Sequence, residues 1–303
     1  MHEELAKKYD RLTSILRDLG GVAVALSGGV DSTLLARVAH DVLDDRMIAV
    51  TMRSAFVPAR DLEEARAFTR AAGITHVVVD ADVLAVPGVA DNPPDRCYHC
   101  KRAVFARVAE AAAAHGISAV ADGSNVDDLA DYRPGHRALR ELGVHSPLLE
   151  AGMTKADVRA LSRELGLATW DKPSAACLAS RIPYGDRITQ DKLDRVDAAE
   201  AALRELGLRN LRVRMHGDLA RIEVPADDVA RLAQPGTRER VVAGIRAAGF
   251  TYVTLDLQGY RTGSLNEELA RKNGDVETAE GAGSAADAAA AEGAGAGQAA
   301  TAR

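Results

Sequence analysis

The apolar positions of this chain fall into short continuous runs and longer runs at helical spacing. Gly21-Val22-Ala23-Val24-Ala25-Leu26 is apolar and β-branched, short enough for a strand buried on both faces. Ser32 to Val42 then sets Leu34, Leu35, Val38 and Val42 on one side, the stripe of an amphipathic helix. Before the strand, Leu5, Tyr9, Leu12, Ile15, Leu16 and Leu19 predict a helix packed beside it. Met47 to Thr51 reads as a second strand, Ala59 to Ala71 as a helix, and Thr75 to Asp80 as a third strand. Arg102 to His115 reads as a helix and Ile117 to Ala121 as a fourth strand. Strand and helix in alternation predict a doubly wound parallel α/β sheet with its ligands at the carboxyl ends of the strands.

Breaks in the pattern mark loops and a boundary. Pro87, Pro93 and Pro94 make residues 81–96 a surface loop leading into Arg96-Cys97-Tyr98-His99-Cys100-Lys101. Ser146 to Leu149 is a short buried segment, and Thr154 caps a helix that stops near Gly166. Trp170 to Arg181 is too small and polar in its middle for a core element, and reads as an active-site loop. After Pro183-Tyr184-Gly185 the pattern becomes α+β. It gives a helix from Thr189 to Leu206, strands at Leu211 to Arg214 and Ala220 to Val224 turning through Gly217, a helix at Arg238 to Ala248 and a strand at Thr251 to Leu257. The expected organisation is therefore an α/β domain over 1–186, a smaller α+β domain over 187–270, and a disordered acidic Ala/Gly-rich tail over 271–303.

Composition adds limits. A length of 303 residues allows two domains, or one large one plus an extension, and 47% hydrophobic content supports a proper core. The net charge of -6 argues against coating nucleic acid through a net field, while leaving room for a local basic patch. The charged start Met-His-Glu-Glu-Leu-Ala-Lys-Lys is no signal peptide, and no apolar run reaches membrane-spanning length, so a cytoplasmic protein is expected.

The chemistry begins at Leu26-Ser27-Gly28-Gly29-Val30-Asp31-Ser32, where strand turns into helix. Backbone N–H groups at a helix N-terminus attract anions, and Gly28 and Gly29 let an anion approach the chain closely. Ser27 and Ser32 add hydroxyl donors. Asp31 would repel a phosphate unless a cation lay between them, which points to Mg2+. The plain alternative is a Gly-rich turn with no ligand. The spacing is neither Walker A nor the dinucleotide pattern; it resembles the S-G-G-x-D-S loop of the PP-loop ATP pyrophosphatases, which implies cleavage of ATP between its α and β phosphates and activation of a substrate oxygen as an adenylate. Arg53, just past the second strand, and Gly123 and Asn125, just past the fourth, are further expected ATP contacts.

Cys97, Cys100 and Cys177 are the three cysteines, too few and odd for a disulfide framework. Cys97-x-x-Cys100 alone fits half a zinc site, a redox pair or two cluster ligands. With Cys177 in a second polar loop, three thiolates could ligate three irons of a 4Fe-4S cluster and leave the fourth open. Inert buried thiols, zinc and redox use stay open as alternatives.

Together with the loop, the blocks Arg96 to Lys101, Asp122-Gly123-Ser124-Asn125-Val126-Asp127-Asp128, Asp131-Tyr132-Arg133-Pro134-Gly135, Asp171 to Gly185 and Arg212 to Gly217 resemble the LarE family, ATP-dependent sulfur transferases of nickel-pincer nucleotide biosynthesis. The resemblance spans about residues 10–267. It implies that ATP adenylates a carboxylate of pyridinium-3,5-biscarboxylic acid mononucleotide, and that sulfur then replaces AMP to give a thiocarboxylate. In single-cysteine members the residue matching Cys177 surrenders its sulfur and becomes dehydroalanine; in three-cysteine members a 4Fe-4S cluster delivers the sulfur, and this chain has three. The source of sulfur is not identified, and the resemblance implies a homo-oligomer.

Arg212 and Arg214, two apart on a strand, share a face and could grip the substrate phosphate, with Ser180 and Arg181 as further candidates; a solvated strand face is the plain reading. Glu200 and Glu223, near Asp228, are candidates for a second divalent metal. Asp128 and Arg133 are possible substrate or ATP contacts, or salt-bridged loop anchors. Rival readings are a tRNA thiolase, which should carry a basic RNA-binding extension, an amide-forming synthetase, and a non-catalytic ATP-binding module with structural zinc.

Overall fold

The structure is a computed structural model that describes residues 2–130, 134–173, 176–261 and 265. Helix α1 (Glu3–Leu19) leads into β1 (Val22–Ala25), followed by α2 (Val30–Leu43), β2 (Met47–Arg53), α3 (Ala59–Ala72), β3 (His76–Asp80), α4 (Arg96–Ala114) and β4 (Ala119–Ala121). The four strands form one sheet in the order β3-β2-β1-β4, every pair parallel. The order reverses between β1 and β4. The turn after β1 therefore opens into the crevice where such sheets bind ligands.

Strand periodicity builds the layers. Val22 and Val24 of β1, with Met47 and Ala49 of β2, pack on α1 and α2. Ala23, Ile48, Val50 and Met52 face the other way onto Phe105, Val108 and Ala112 of α4. Because successive side chains on a strand point to opposite faces, both faces are apolar and both are covered by helices. The chain continues through α5 (Gly135–Glu141), the one-turn α6 (Pro147–Glu150) and α7 (Lys155–Glu164). Thr154 caps α7 in a capping box with Asp157, which pairs the backbone N–H groups of Thr154 and Asp157.

Beyond a 3-10 turn at Leu178–Arg181 come α8 (Gln190–Glu205), β5 (Arg212–His216), β6 (Leu219–Glu223), α9 (Ala226–Ala233), α10 (Thr237–Ala247) and β7 (Tyr252–Leu255). These strands make a second sheet, β5-β6-β7, with β5 antiparallel and β7 parallel to β6. Its core takes in Val213, Ile222, Leu193, Val196 and Ile245, together with Phe56, Val83 and Val89 from the first half of the chain.

Three local features differ from the sequence reading. Helix α4 starts at Arg96 instead of Arg102, so Cys97 and Cys100 occupy its first two turns. Residues 81–95 are not wholly at the surface: Val83, Val89 and Asn92 are buried, and Asn92 Nδ2 donates to the carbonyls of Ile182 and Pro183. Helices α5 and α9 have no counterpart in the sequence reading. Arg133 and the tail over 271–303 lie outside the described residues. Among the described residues no helix is long and apolar enough to cross a membrane.

Candidate active site

The turn after β1 is built as an anion cradle. Gly28 has φ +73°, a left-handed conformation that favours glycine, and a Cβ there would stand 3.1 Å from the Asp61 carbonyl. Gly29 is the N-cap of α2, so the free N–H groups of the first helical turn face the crevice. Ser32 Oγ accepts from the Ser27 amide at 3.2 Å and lies 3.1 Å from Ser27 Oγ, which fixes both hydroxyls beside the turn. From the end of β4, Gly123 passes so close that a Cβ would sit 2.9 Å from the Ser32 amide nitrogen.

Asp31 is held from two sides. Asn125 Nδ2, fully buried, donates to Oδ1 at 3.0 Å, and Lys155 from the start of α7 forms an ion pair with Oδ2. Lys155 was not singled out from the sequence, although a cation in the first turn of a helix opposes the helix dipole and is a readable sign of another purpose. Asp128 Oδ2 accepts from the Asn125 amide at 3.0 Å, as an anchor of the Asp122–Asp128 loop. Arg53 sits apart from this network, exposed and in a bidentate pair with Asp80 on β3.

A second loop approaches from the other side. Lys172 Nζ donates to the Gly28 carbonyl at 2.9 Å and pairs with Asp61 at 3.3 Å and with Glu64. Arg159 on α7 donates to the carbonyls of Trp170 and Lys172, so the segment entering the Cys177 loop is held at both edges. Cys177 itself is exposed, while Cys97 and Cys100 are half-buried. Arg96, 2% exposed, bridges the two loops: its guanidinium donates to the Ala179 carbonyl at 3.1 Å and to Cys97 Sγ at 3.8 Å, and it pairs with Asn92.

The three thiols lie close enough to act on one another. Burial pushes the Cys100 thiol up to about 12, and Cys177 and Cys97 add to the shift. Burial and then Cys177 raise Cys97 as well, against the pull of Arg96 and Lys101. Among the described residues no group of three or more His, Cys, Asp or Glu is placed to hold a single metal ion. A cubane binds each thiolate through a different iron and so needs a wider triangle of sulfurs than one ion does. Two thiols kept protonated by burial and by a neighbouring sulfur suit a cationic iron centre, which would take them as thiolates.

The arginines singled out for the substrate phosphate are buried beneath the Cys177 loop. Arg181, 3% exposed, makes a bidentate pair with Glu200 at 2.7 and 3.1 Å and donates to the carbonyls of Ala176 and Cys177. Ser180 Oγ donates to the Cys177 carbonyl at 2.8 Å. Arg214 lies bidentate on Glu223 and donates to the Ser180 carbonyl at 2.6 Å. Arg212 stacks on Tyr260, and burial, then the nearby Arg181 charge, lower it to about 10.

Glu200 and Glu223 are thus satisfied by arginines rather than gathered around a cation. Glu200 also accepts from Arg204 and the Val213 amide, and Glu223 pairs with Arg221. Burial works to raise Glu200, but Arg181 and Arg204 outweigh it and hold the carboxyl below its ordinary range. Asp228 pairs with Arg231 in α9.

Comparison with known proteins places the chain among its relatives. Residues 5–86 match the NAD synthase family. Over 268 residues the chain is 40% identical to pyridinium-3,5-bisthiocarboxylic acid mononucleotide synthase of Lactiplantibacillus plantarum, covering 88% of this chain and 96% of that one. It is 43% identical over 267 residues to an uncharacterized protein of Synechocystis, covering 88% of this chain and all of that one. A tRNA-specific 2-thiouridylase of Azorhizobium caulinodans is 34% identical over 217 residues, 59% of this chain and 55% of the relative. A relative 40% identical over nearly its whole length shows the family, and the chain belongs to the LarE family of ATP-using PP-loop sulfurtransferases.

Proposed function

We propose that this enzyme adenylates the carboxylates of pyridinium-3,5-biscarboxylic acid mononucleotide and converts them to thiocarboxylates, using sulfur delivered at Cys97, Cys100 and Cys177. The observation that carries the reading is the junction of the two loops: Lys172, five residues before Cys177, is hydrogen-bonded to Gly28 of the ATP loop. Activation by ATP and attack by sulfur are two steps on one carboxyl group, the first at its oxygen and the second at its carbon, so the sites for both must adjoin.

Chemistry then assigns roles. The substrate carboxylate attacks the α-phosphorus and pyrophosphate leaves; the turn amides at Gly28 and Gly29 and the hydroxyls of Ser27 and Ser32 bind the departing phosphates. Asp31 would hold Mg2+, which would offset the phosphate charge, and Lys155, paired with Asp31 here, is a second cation for the same anion. Asn125 fixes the Asp31 carboxylate. The acyl adenylate then carries a good leaving group, and sulfur attacks its carbonyl carbon as AMP departs. Held by Cys97, Cys100 and Cys177, a 4Fe-4S cluster would supply an open iron for the transferred sulfur. Arg181 and Ser180 shape the Cys177 backbone, Arg212 and Arg214 favour the substrate phosphate, and the part of the chain from residue 187 to 261 receives it.

The exposure of Cys177, against the half-burial of Cys97 and Cys100, favours a second mechanism at the same site. The Cys177 thiolate would attack the acyl adenylate to give a thioester; loss of its Cα proton would then break the Cβ–S bond, leaving a thiocarboxylate and dehydroalanine.

Anaerobic purification with iron and acid-labile sulfide assays on wild type and Cys97→Ala separates the two. Near four irons per chain, lost in the variant, supports the cluster. No iron after reconstitution, with Cys177 losing the mass of its sulfur after turnover with ATP, supports the sacrificial route.

A further inference from the structure

Asn92 and Arg96 form a buried pair between the two cysteine-bearing segments. Asn92 has φ +57°, the left-handed region that residues other than glycine seldom occupy. Its backbone carbonyl accepts from the Gly185 amide at 2.9 Å, and its Nδ2 reaches the carbonyls of Ile182, Pro183 and Asp186 at 3.2, 2.7 and 3.2 Å. The donors of the side-chain amide are therefore used on residues 182–186, and its oxygen accepts from Arg96 Nη1. A backbone held in a sparsely populated conformation by so many contacts points to a positional role.

Arg96, the first residue of α4, carries the connection to the thiols. Its Nη1 joins Asn92 to the Ala179 carbonyl, its Nη2 faces Cys97 Sγ, and its guanidinium lies 5.7 Å from the centre of the Tyr184 ring. Ala179 belongs to the short 3-10 turn Leu178–Arg181, which Cys177 caps. Fixing the Ala179 carbonyl thus fixes Cys177 against a helix whose first two turns carry Cys97 and Cys100. The buried Arg181 and Arg214 lie on carboxylates, Glu200 and Glu223, whereas Arg96 is held by an amide oxygen, a carbonyl and a sulfur. A cation buried among neutral acceptors is costly to keep. What it contributes is a rigid fork of donors that bonds both segments at once.

We propose that Asn92 and Arg96 are positioning residues that hold Cys177 in register with Cys97 and Cys100, so that the three thiols converge before iron or substrate binds. The proposal rests on the reading above that these cysteines act at one centre, and it deepens that reading by naming what assembles the centre.

The test is thiol bridging in the full-length, iron-free protein carrying Cys100→Ser, which leaves Cys97 and Cys177 as the two thiols. Dibromobimane becomes strongly fluorescent when two thiolates displace its two bromides, and monobromobimane reports whether each thiol reacts alone. Asn92→Gly keeps the left-handed backbone and removes only the side chain, and Arg96→Met keeps the apolar stem. Efficient bridging is expected in the Cys100→Ser protein, with at least a fivefold lower bridged yield in either variant, both thiols still taking monobromobimane and ATP affinity within twofold. Arg96→Lys should bridge as poorly as Arg96→Met, because an ammonium keeps the charge without the fork. If Arg96→Met does not fold, Asn92→Gly carries the test. The proposal is overturned if the Cys100→Ser protein does not bridge, if Asn92→Gly bridges within twofold of it, if Arg96→Lys restores bridging, or if bridging falls only in step with ATP affinity. Bridging needs no iron, ATP or substrate. A protein that bridges as expected yet forms no thiocarboxylate keeps the positioning pair and loses the assigned reaction, and one that forms thiocarboxylate while Asn92→Gly bridges normally keeps the reaction and loses the pair.

Discussion

Lys172 Nζ lies 2.9 Å from the carbonyl oxygen of Gly28, which joins the cysteine-bearing loop to the phosphate-binding turn by one side chain. The contact holds a backbone group of the ATP site from outside the site. Lys172→Met removes it and leaves Asp61 and Glu64 without their shared cation. We expect pyrophosphate release to slow roughly tenfold, equivalent to about 1.4 kcal/mol of lost positioning, with the fold retained. A pyrophosphate-release assay at saturating ATP reads this, and an unchanged rate would remove Lys172 from the coupling.

The buried pair of Arg181 and Glu200 supports the Cys177 backbone. Glu200→Gln leaves two guanidiniums, Arg181 and Arg204, with a neutral partner in a site of almost no solvent exposure. The expected loss of stability is about 3 kcal/mol, read from urea unfolding at neutral pH. Because the Glu200 carboxyl is held below its ordinary value of 4.5, its contribution is present above that pH and lost as pH falls through the folded value. The gap between wild type and Glu200→Gln should therefore narrow on acidification.

Gly123 packs against the first turn of α2, and Gly123→Ala would drive a methyl group to 2.9 Å from the Ser32 amide nitrogen. Backbone must move there. A stability loss of about 1–3 kcal/mol and weaker ATP binding are expected, measured by thermal melts with and without Mg-ATP.

Cysteine reactivity should follow burial. With a pKa of about 12, Cys100 presents on the order of one thiolate in ten thousand at pH 8. In iron-free protein, iodoacetamide is expected to label exposed Cys177 first and Cys100 last, as followed by peptide mass spectrometry. Loading with iron and sulfide should protect all three.

His76 lies between Thr51 Oγ1 at 2.8 Å and Thr69 Oγ1 at 3.1 Å, linking β2, β3 and α3. Burial, then the Arg66 charge, lowers its pKa below 6.5. The unfolded chain then takes up a proton at higher pH than the folded one, so stability is full above about pH 6.5 and falls as pH drops toward the folded value. Thermal melts from pH 8 to 5.5 should show this slope in wild type and a shallower one in His76→Gln.

Much of this was readable along the chain. The buried runs at Val22–Ala25 and Met47–Arg53 and the Thr154 cap are local signals that fix backbone state over a few residues. The start of α4 was misread because three prolines precede it and Cys, Tyr and His are indifferent helix formers. Helix α9 was missed although Asp227 and Asp228 in its first turn, after Pro225, announce an N-terminus. The β5 arginines read as a strand face able to take phosphate. Glu223 stands opposite Arg212 across the β5–β6 ladder, and its carboxylate is engaged by Arg214, a pairing that no spacing within one strand reveals.

The sequence by itself determined the succession of strands, the position of the phosphate-binding turn and the presence of three thiols, since each is written in neighbouring residues. Only the tertiary structure decided that Cys177 comes to Cys97 and Cys100 and that Arg181 and Arg214 pair with buried carboxylates. Those relations join segments far apart in the chain. They depend on which faces are buried against which, and burial is what makes a distant charge or an unmet N–H cost enough to matter.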